Sequence, residues 1–151
     1  MALNRTFVGR RAVSMAPFEV TRGDIRRFAL AMGDIHPVYL NRAAAQSMGH
    51  PDVVAPPTFL IAMGELSGVG FLADPALGLD FARVVHGEQG FELHRPVCAG
   101  DVLASETRIE QIRDAGRNEL LTLVTEVTSD GQRVATVTNT LVSRGTAAGQ
   151  S

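Results

Sequence analysis

The sequence predicts a single α+β domain in which helices come first and an antiparallel sheet follows. The chain has 151 residues, close to the commonest size of one domain, and 45% of them are hydrophobic, as in folded proteins. Its apolar residues recur with the helical period in the first half and with a period of two in the second half. Helices followed by strands are typical of an α+β fold.

The first helix is predicted to begin at Thr21. Thr21 and Asp24 have the spacing of a capping box, in which each side chain binds the backbone N–H of the other residue. Apolar residues then recur on one face, and Gly33 is suited to end the helix. Asn41 is predicted to cap a second, short helix over residues 42–48.

A third helix is predicted over residues 58–72, because Pro57 suits the first turn of a helix, where its missing N–H costs nothing. The segment is apolar nearly all round, a pattern typical of a helix buried inside the protein. Glu65 interrupts this apolar stretch, which is also shorter than the about 20 residues that cross a bilayer. We therefore expect a core helix and no membrane span.

The second half of the chain is predicted to form four long strands. Leu121, Leu123 and Val127 alternate with polar neighbours, and Asp130-Gly131 is a strong signal for a hairpin turn. The predicted strands lie near residues 81–95, 101–112, 119–128 and 132–143. A meander of antiparallel strands around one buried helix follows from this pattern.

Charge and cysteine content exclude several function classes. The 14 basic and 16 acidic side chains give a net charge of -2, so no basic surplus is present to bind nucleic acid. Cys98 is the only cysteine, which excludes an internal disulfide and fits a reducing cytoplasm. Because the N-terminus has no apolar run, no secretory signal is expected. The histidines lack metal-ligand spacing, so neither a metal nor a cofactor is expected.

Three chemistry-bearing residues lie close together between the first two predicted helices. Asp34, His36 and Tyr39 fall within six residues on a loop that Pro37 stiffens. One interpretation is a general acid/base cluster. The other is the turn after a helix, in which Asp34 caps backbone groups and His36 faces solvent.

Several motifs extend along the chain from this loop. Gly33, Asp34, Pro37 and Val38 match, in order, the pattern G-D-x-N-P-[LIV]-H. Three further segments match as well: 53–59, 86–91 and 95–101. On these motifs the chain resembles the MaoC-like family of (R)-specific enoyl-CoA hydratases and (3R)-hydroxyacyl-ACP dehydratases. The resemblance implies a hot-dog fold over residues 1–144, an antiparallel sheet wrapped around a long central helix, with residues 145–151 as a disordered tail.

The chain departs from the family pattern at two positions that carry the chemistry. The family's histidine base is replaced by Tyr39, and a tyrosine with a pKa of about 10 is a poor base at neutral pH. His36 stands at the place of the usual asparagine. The glycine whose N–H polarises the thioester carbonyl corresponds to Pro57, which has no N–H. Since losing one such donor costs about 10²–10³ in rate, the resemblance implies an active site that this chain does not complete alone.

The leading interpretation is therefore the acyl-chain-binding subunit of a heteromeric (3R)-hydroxyacyl-ACP dehydratase of type II fatty acid synthesis. A homologous catalytic hot-dog subunit would supply the aspartate and histidine, and the substrate would be an acyl-ACP or acyl-CoA thioester, with acyl carrier protein as a further partner. The alternative interpretation of Phe59, Leu60 and Met63 is plain core packing. The alternative for His86 is a structural role. The candidate substrate-binding residues are Val54, Thr58, Phe59, Leu60, Met63, His86 and Phe91.

Two alternatives remain open at this point. The chain could be a homodimeric (R)-specific enoyl-CoA hydratase in which Asp34 and His36 form an unusual catalytic pair. It could also be a non-enzymatic module that binds acyl thioesters. In each case a hot-dog sheet leaves an edge strand and an apolar face that a second copy or a homologue can cover.

Overall fold

The computed structural model describes residues 1–63 and 69–147, and its main feature is one antiparallel sheet. Its strands are β1 (Arg11–Val13), β2 (Phe18–Glu19), β3 (Val84–Leu93), β4 (Val102–Ala115), β5 (Asn118–Ser129) and β6 (Gln132–Ser143). The strand order is β1-β4-β5-β6-β3, and β2 also pairs with β4. This sheet confirms the α+β class and the four long predicted strands. The strands β1 and β2 were not predicted, because two or three residues are too few to show an alternating pattern.

The turn between β5 and β6 has the predicted hairpin chemistry. Asp130 and Gly131 both have positive φ, 49° and 75°, as a two-residue turn of the right twist requires. On β5, which leads into this turn, Leu121, Leu123 and Val127 are buried. The predicted alternation therefore marks the core face of β5. The hairpin thus fixes the register in which the two strands meet.

In the described part of the chain, three α-helices precede the long strands. They are α1 (Arg22–Met32), α2 (Pro37–Leu40) and α3 (Arg42–Ser47). The capping box of Thr21 and Asp24 is present at the start of α1, and Gly33 ends α1 in the left-handed conformation with φ 72°, as predicted. The side chain of Asn41 accepts a hydrogen bond from Ala44 N and caps α3, also as predicted. The four-residue α2 is too short to show a helical period.

The long third helix predicted over residues 58–72 is not continuous α-helix in the part that the structure describes. Residues Phe59–Met63 and Val69–Phe71 form short 3-10 helices, and residues 64–68 lie outside the described part of the chain. The backbone hydrogen bonds at the start of this segment join residues that are three apart, as in a 3-10 helix. They run from Phe59 N to Pro56 O and from Ile61 N to Thr58 O. Glycine-rich sequence explains the weak α-helical preference, since each glycine costs a helix about 1 kcal/mol relative to alanine.

The described residues form two groups of buried side chains against the sheet. The first core cluster contains Val20, Ile25, Val53, Ala55, Phe59, Leu60, Met63, Val97, Leu103, Val127, Val134 and Ala135. The second core cluster contains Leu3, Phe7, Leu72, Leu77, Ile109, Ile112, Leu121 and Leu123. The predicted burial of the apolar segment is therefore confirmed for Phe59, Leu60 and Met63, although that segment is not one α-helix.

The two ends of the described chain are attached near the start of β5. Leu3 N donates to Glu119 Oε2 at 2.8 Å, and the Glu119 side chain is fully buried. Gly145 N donates to Asn118 Oδ1, and Ala147 N donates to Arg117 O. The first residues of the predicted tail are thus hydrogen-bonded to the start of β5 and to the turn before it, while residues 148–151 lie outside the described chain.

Candidate functional site

The loop after α1 holds Asp34 and His36, and both side chains are bound to nearby backbone N–H groups. Asp34 Oδ1 accepts a hydrogen bond from His36 N at 3.3 Å. His36 Nδ1 accepts one from Val38 N at 3.1 Å, which makes the imidazole the N-cap of α2. Both residues are exposed. This geometry agrees with the interpretation of the loop as a turn in which Asp34 and His36 bind backbone groups. The other ring nitrogen of His36, Nε2, takes no part in the cap.

Tyr39 stands behind this loop and is partly buried against the first core cluster. Its ring centroid lies 5.9 Å from that of His36. Burial raises the pKa of Tyr39 above 10, and the negative charge of Asp34 raises it further. The phenol therefore stays protonated at neutral pH, so that it can donate a hydrogen bond but cannot remove a proton from a substrate.

Backbone hydrogen bonds join this loop to the segment that follows α3. Val54 N donates to Val38 O at 3.0 Å, and Ala55 N donates to Val97 O at 2.7 Å. Val54 also forms an isolated bridge with Cys98. The candidate loop, the predicted binding residue Val54 and the turn before β4 are therefore neighbours. They belong to three of the sequence motifs, those at residues 33–38, 53–59 and 95–101.

An ion pair holds the turn before β4. Arg95 Nη1 and Nη2 bind the two carboxylate oxygens of Asp101 at 2.8 and 3.0 Å. Cys98 N also donates to Asp101 Oδ2 at 2.9 Å. Asp101 thus organises the turn, as the sequence indicated. Burial raises the pKa of the Cys98 thiol above its usual value, which disfavours the reactive thiolate.

Asp52 forms ion pairs beside the candidate loop that sequence reasoning missed. Arg22 binds it through Nε at 3.0 Å and Nη2 at 2.8 Å, and Arg42 Nε lies 3.4 Å away. Hydrogen bonding to Arg22 is the main cause that lowers the pKa of Asp52. The carboxylate thereby links the starts of α1 and α3 across the candidate loop. No local spacing in the sequence indicates this contact, because its partners come from separate elements.

The predicted acyl-binding residues do not all face open space. Leu60 and Met63 are 4% and 3% exposed inside the first core cluster, whereas Val54 and Thr58 are half-buried. Phe59 reaches an apolar cavity of about 410 Å³, which we name the phenylalanine cavity. Its described lining residues are Phe18, Asp24, Arg27, Phe28, Phe59 and Ala62. The helical period of the sequence predicts the face of α1 that carries Phe28. Phe18 lies on β2, which at two residues is too short to be predicted from an alternating pattern.

His86 and Phe91 lie on β3, away from the loop in the chain and on a separate strand. His86 Nε2 is 2.9 Å from Gln89 Oε1, and Gln89 Nε2 donates to Thr138 O at 3.2 Å. Phe91 packs against the first core cluster, whereas His86 is exposed. No hydrogen bond or ring contact in the described structure joins His86 to the loop of residues 34–39. The structure therefore brings Asp34, His36 and Tyr39 together and places His86 elsewhere.

The described residues contain neither a cluster of metal-ligating side chains nor a helix that could cross a membrane. Within residues 1–63 and 69–147, no group of three or more histidine, cysteine, aspartate or glutamate side chains is arranged to hold a metal ion. In the same ranges, no helix has both the length and the hydropathy that crossing a membrane requires.

Comparison with known proteins decides the family. The sequence profile described as "FAS1-like, dehydratase domain region" matches residues 6–137. The chain belongs to this family. Among its relatives, the UPF0336 protein of Parafrankia sp. is 51% identical over 150 residues, covering 97% of this chain and 98% of that protein. The UPF0336 protein of Streptomyces coelicolor is 45% identical over 145 residues, covering 95% and 97%.

Solved structures show the same fold for this member of the FAS1-like dehydratase family. A MaoC-like dehydratase matches with a TM-score of 0.83 and 31% identity, over 91% of this chain, which spans 42% of that protein. The HadBC (3R)-hydroxyacyl-ACP dehydratase complex of Mycobacterium tuberculosis matches with a TM-score of 0.78 and 27% identity, over 90% of this chain and 96% of that one. The predicted hot-dog fold and the resemblance to MaoC-like dehydratases are both confirmed.

Proposed function

We propose that this chain is the acyl-chain-binding subunit of a heteromeric (3R)-hydroxyacyl-ACP dehydratase in cytoplasmic type II fatty acid synthesis. The observation that carries the proposal is the state of the loop after α1. Asp34 and His36 cap backbone groups, and Tyr39, which the sequence resemblance aligns with the family's base, has a raised pKa. The fold of a dehydratase is thus combined with a protonated phenol where the resemblance expects a histidine.

A partner subunit would supply the missing groups. In the reaction, its histidine would remove the α-proton of the 3-hydroxyacyl thioester, and the hydroxyl group would leave with a proton as water. The product is the trans-2-enoyl thioester, and no oxidant or cofactor is consumed. The likeness to the HadBC complex supports this division of labour, because that dehydratase is itself assembled from unlike chains.

The free edge of β3 is the surface that we assign to this partner. Within the described sheet, β3 pairs with β6 along one side only. Val85 and Leu93 on this strand are 41% and 38% exposed. The strand has no lysine, arginine or proline; it carries Glu88 and Glu92 and a bulge between His86 and Glu88, so that the regularly paired part of the edge runs from Glu88 to Leu93. A ten-residue strand of this kind is suited to extend into the sheet of a second hot-dog subunit.

The substrate follows from the same division of roles. We assign acyl-ACP or acyl-CoA thioesters as ligands, since the apolar cavity beside Phe59 fits a hydrocarbon chain. Acyl carrier protein is the further partner that the acyl-ACP form of this substrate brings with it. Val54, which is hydrogen-bonded to the loop through Val38, and Thr58 are both half-buried, and we expect them nearest to the thioester end.

The test is a hydration assay with crotonyl thioester. The purified chain is assayed alone and together with a hot-dog subunit that carries an intact aspartate–histidine pair. We expect activity only from the mixture, and loss of that activity when the partner's histidine is replaced. High activity of the lone chain would contradict the proposal, and loss of that activity in His36→Ala would identify a homodimeric hydratase using Asp34 and His36.

A further inference from the structure

The free edge of β3 carries two glutamates on its outer face. Glu88 and Glu92 are four residues apart on one strand, so both point to the same side of the sheet. Phe91 points to the other side and packs against the first core cluster. Both glutamates are exposed, and both lie in the regularly paired part of the strand, from Glu88 to Leu93. Two carboxylates thus mark the part of the edge where a further strand can pair.

Neither carboxylate is neutralised by the part of the chain that the structure describes. Within that part, the side chains of Glu88 and Glu92 form no ion pair and no hydrogen bond. Their cross-strand neighbours on β6 are both threonines, which carry no charge. Arg133 is the one charged residue of β6, and it binds Glu126 on β5 at 3.1 Å. The negative charge of the edge is therefore left for a group outside this chain.

Gly90 lies between the two glutamates and leaves the outer face open there. A Cβ at Gly90 would meet only Thr138 Cβ, at 3.9 Å. In an added antiparallel strand, the residue opposite Gly90 would be diagonal to both Glu88 and Glu92, at a distance of about 7–8 Å from each. The long side chain of a lysine or an arginine reaches over that distance. The shape of the edge and its charge therefore favour the same kind of partner residue.

The same glutamates disfavour pairing of this edge with a second copy of the chain. In a twofold pair of β3 strands whose core faces lie on one side, the outward residues of one copy face the outward residues of the other. Every register that joins the two segments 88–93 then places a glutamate of one copy directly opposite, or diagonal to, a glutamate of the other. Like charges that face each other across strands are destabilising. The edge therefore favours an unlike partner over a second copy.

We propose that the edge of β3 chooses its partner by charge: it pairs with an antiparallel strand that carries lysine or arginine on its outer face, and it disfavours a second copy of this chain. This inference rests on the proposed function and states the chemistry of the partner's edge. Glu88 and Glu92 are the residues that carry it. Because both carboxylates are exposed, their effect on association is screened by salt.

The test uses this chain itself as the basic partner. Glu88→Lys and Glu92→Lys, made together, give a basic edge at two exposed positions of the same fold. We expect a mixture of wild type and this edge variant to associate about tenfold more tightly than either protein alone in sedimentation equilibrium, because facing like charges become ion pairs. In about 1 M NaCl, where the Debye length is about 3 Å, this gain should fall to about twofold or less.

Two further variants separate the edge from net charge. Glu19→Lys with Glu110→Lys changes the net charge by the same amount at two exposed glutamates that do not lie on β3. A mixture of this control with wild type should show no gain in association. Glu88→Gln with Glu92→Gln removes the repulsion without adding a cation, so we expect it to self-associate about threefold more tightly than the wild type.

Three results would overturn the charge assignment. They are an equal gain in the control mixture, no gain with the edge variant, and tight self-association of the wild type that the glutamine variant leaves unchanged. The proposed function is tested separately, because it requires only that a catalytic hot-dog subunit gives hydration activity together with the wild-type chain. If no such subunit does so, the proposed function fails whatever the sedimentation results are.

Discussion

The imidazole of His36 accepts a hydrogen bond at Nδ1 from the backbone N–H of Val38, over 3.1 Å. Because this bond caps α2, we expect His36→Ala to lower the free energy of unfolding by about 0.5–2 kcal/mol, as cap removal does. Turnover by the assembled dehydratase should be unchanged at a temperature where the variant is folded. Asn41→Ala removes the cap of α3 in the same way and is the matched control for stability in urea titrations. Near-complete loss of turnover in folded His36→Ala would favour a catalytic imidazole.

Tyr39 offers a titration without overlapping signals, because it is the only tyrosine and the chain has no tryptophan. We expect tyrosinate absorbance to develop with a midpoint above 10.0, since burial is the main cause of the raised pKa and the charge of Asp34 adds to it. Asp34→Asn should move the midpoint down, towards 10.0, without reaching it. A midpoint at or below 10.0 in the folded wild-type chain would contradict the burial of this phenol.

The same residue makes stability depend on alkaline pH. The pKa of Tyr39 is higher in the folded than in the unfolded chain, so the contribution of its neutral form is fully present below pH 10.0. As the pH rises through the folded pKa, that contribution is lost, because the unfolded chain releases the proton more readily. Tyr39→Phe should therefore show a weaker loss of stability above pH 10.0 in urea titrations. Equal losses in both proteins would show that Tyr39 is not the group responsible.

Two glycines on β3 are expected to respond differently to the same substitution. A Cβ at Gly87 would lie 2.9 Å from Val142 Cγ2 and 3.2 Å from Thr140 O, whereas one at Gly90 would meet only Thr138 Cβ at 3.9 Å. We expect Gly87→Ala to cost about 1–3 kcal/mol through overpacking and Gly90→Ala to be near neutral. The two urea midpoints measure this difference directly. Equal midpoints would mean that the bulge beside His86 yields without strain.

Glu119 anchors the N-terminal segment from a fully buried position. Its Oε2 accepts from Leu3 N at 2.8 Å, its Oε1 has no hydrogen-bond partner in the described structure, and Arg5 Nη2 lies 3.9 Å from Oε1. Glu119→Leu leaves the N–H of Leu3 without its acceptor, so we expect a loss of about 1–3 kcal/mol in thermal unfolding. Cleavage by trypsin after Arg5 should also become faster. Glu110→Leu, on the exposed side of β4, is the control that should change neither measurement.

The strands and caps could be predicted because each depends on neighbours in the sequence. The alternation around Leu121 and the pair Asp130-Gly131 give β5, β6 and their turn, and Thr21 with Asp24 gives the start of α1. The predicted helix over residues 58–72 was wrong in its described part, because hydrophobicity predicts burial but does not distinguish α from 3-10 hydrogen bonding. Burial of this segment was predicted correctly for that reason.

The candidate site was only partly predictable. Asp34, His36 and Tyr39 were found because they are close in sequence, and the structure keeps them together on the loop after α1 and the short helix α2. The contacts of Asp52 with α1 and α3, and the meeting of Phe18 with Phe59, join residues from distant parts of the chain. Such contacts depend on how the elements pack, which no local period or spacing encodes.

The position of β3 has a consequence for how the subunit assembles. The strand precedes β4, β5 and β6 in the chain but lies beyond β6 in the sheet, so that Val85 pairs with Val142. Closing so long a loop costs chain entropy that the adjacent hairpins do not lose, and β3 should therefore join the sheet last and open first. A partner bound along this edge would hold the least secure strand in place. If the proposed complex forms, subunits that lack a partner would open more often and be degraded sooner, which would keep its two chains in matched amounts.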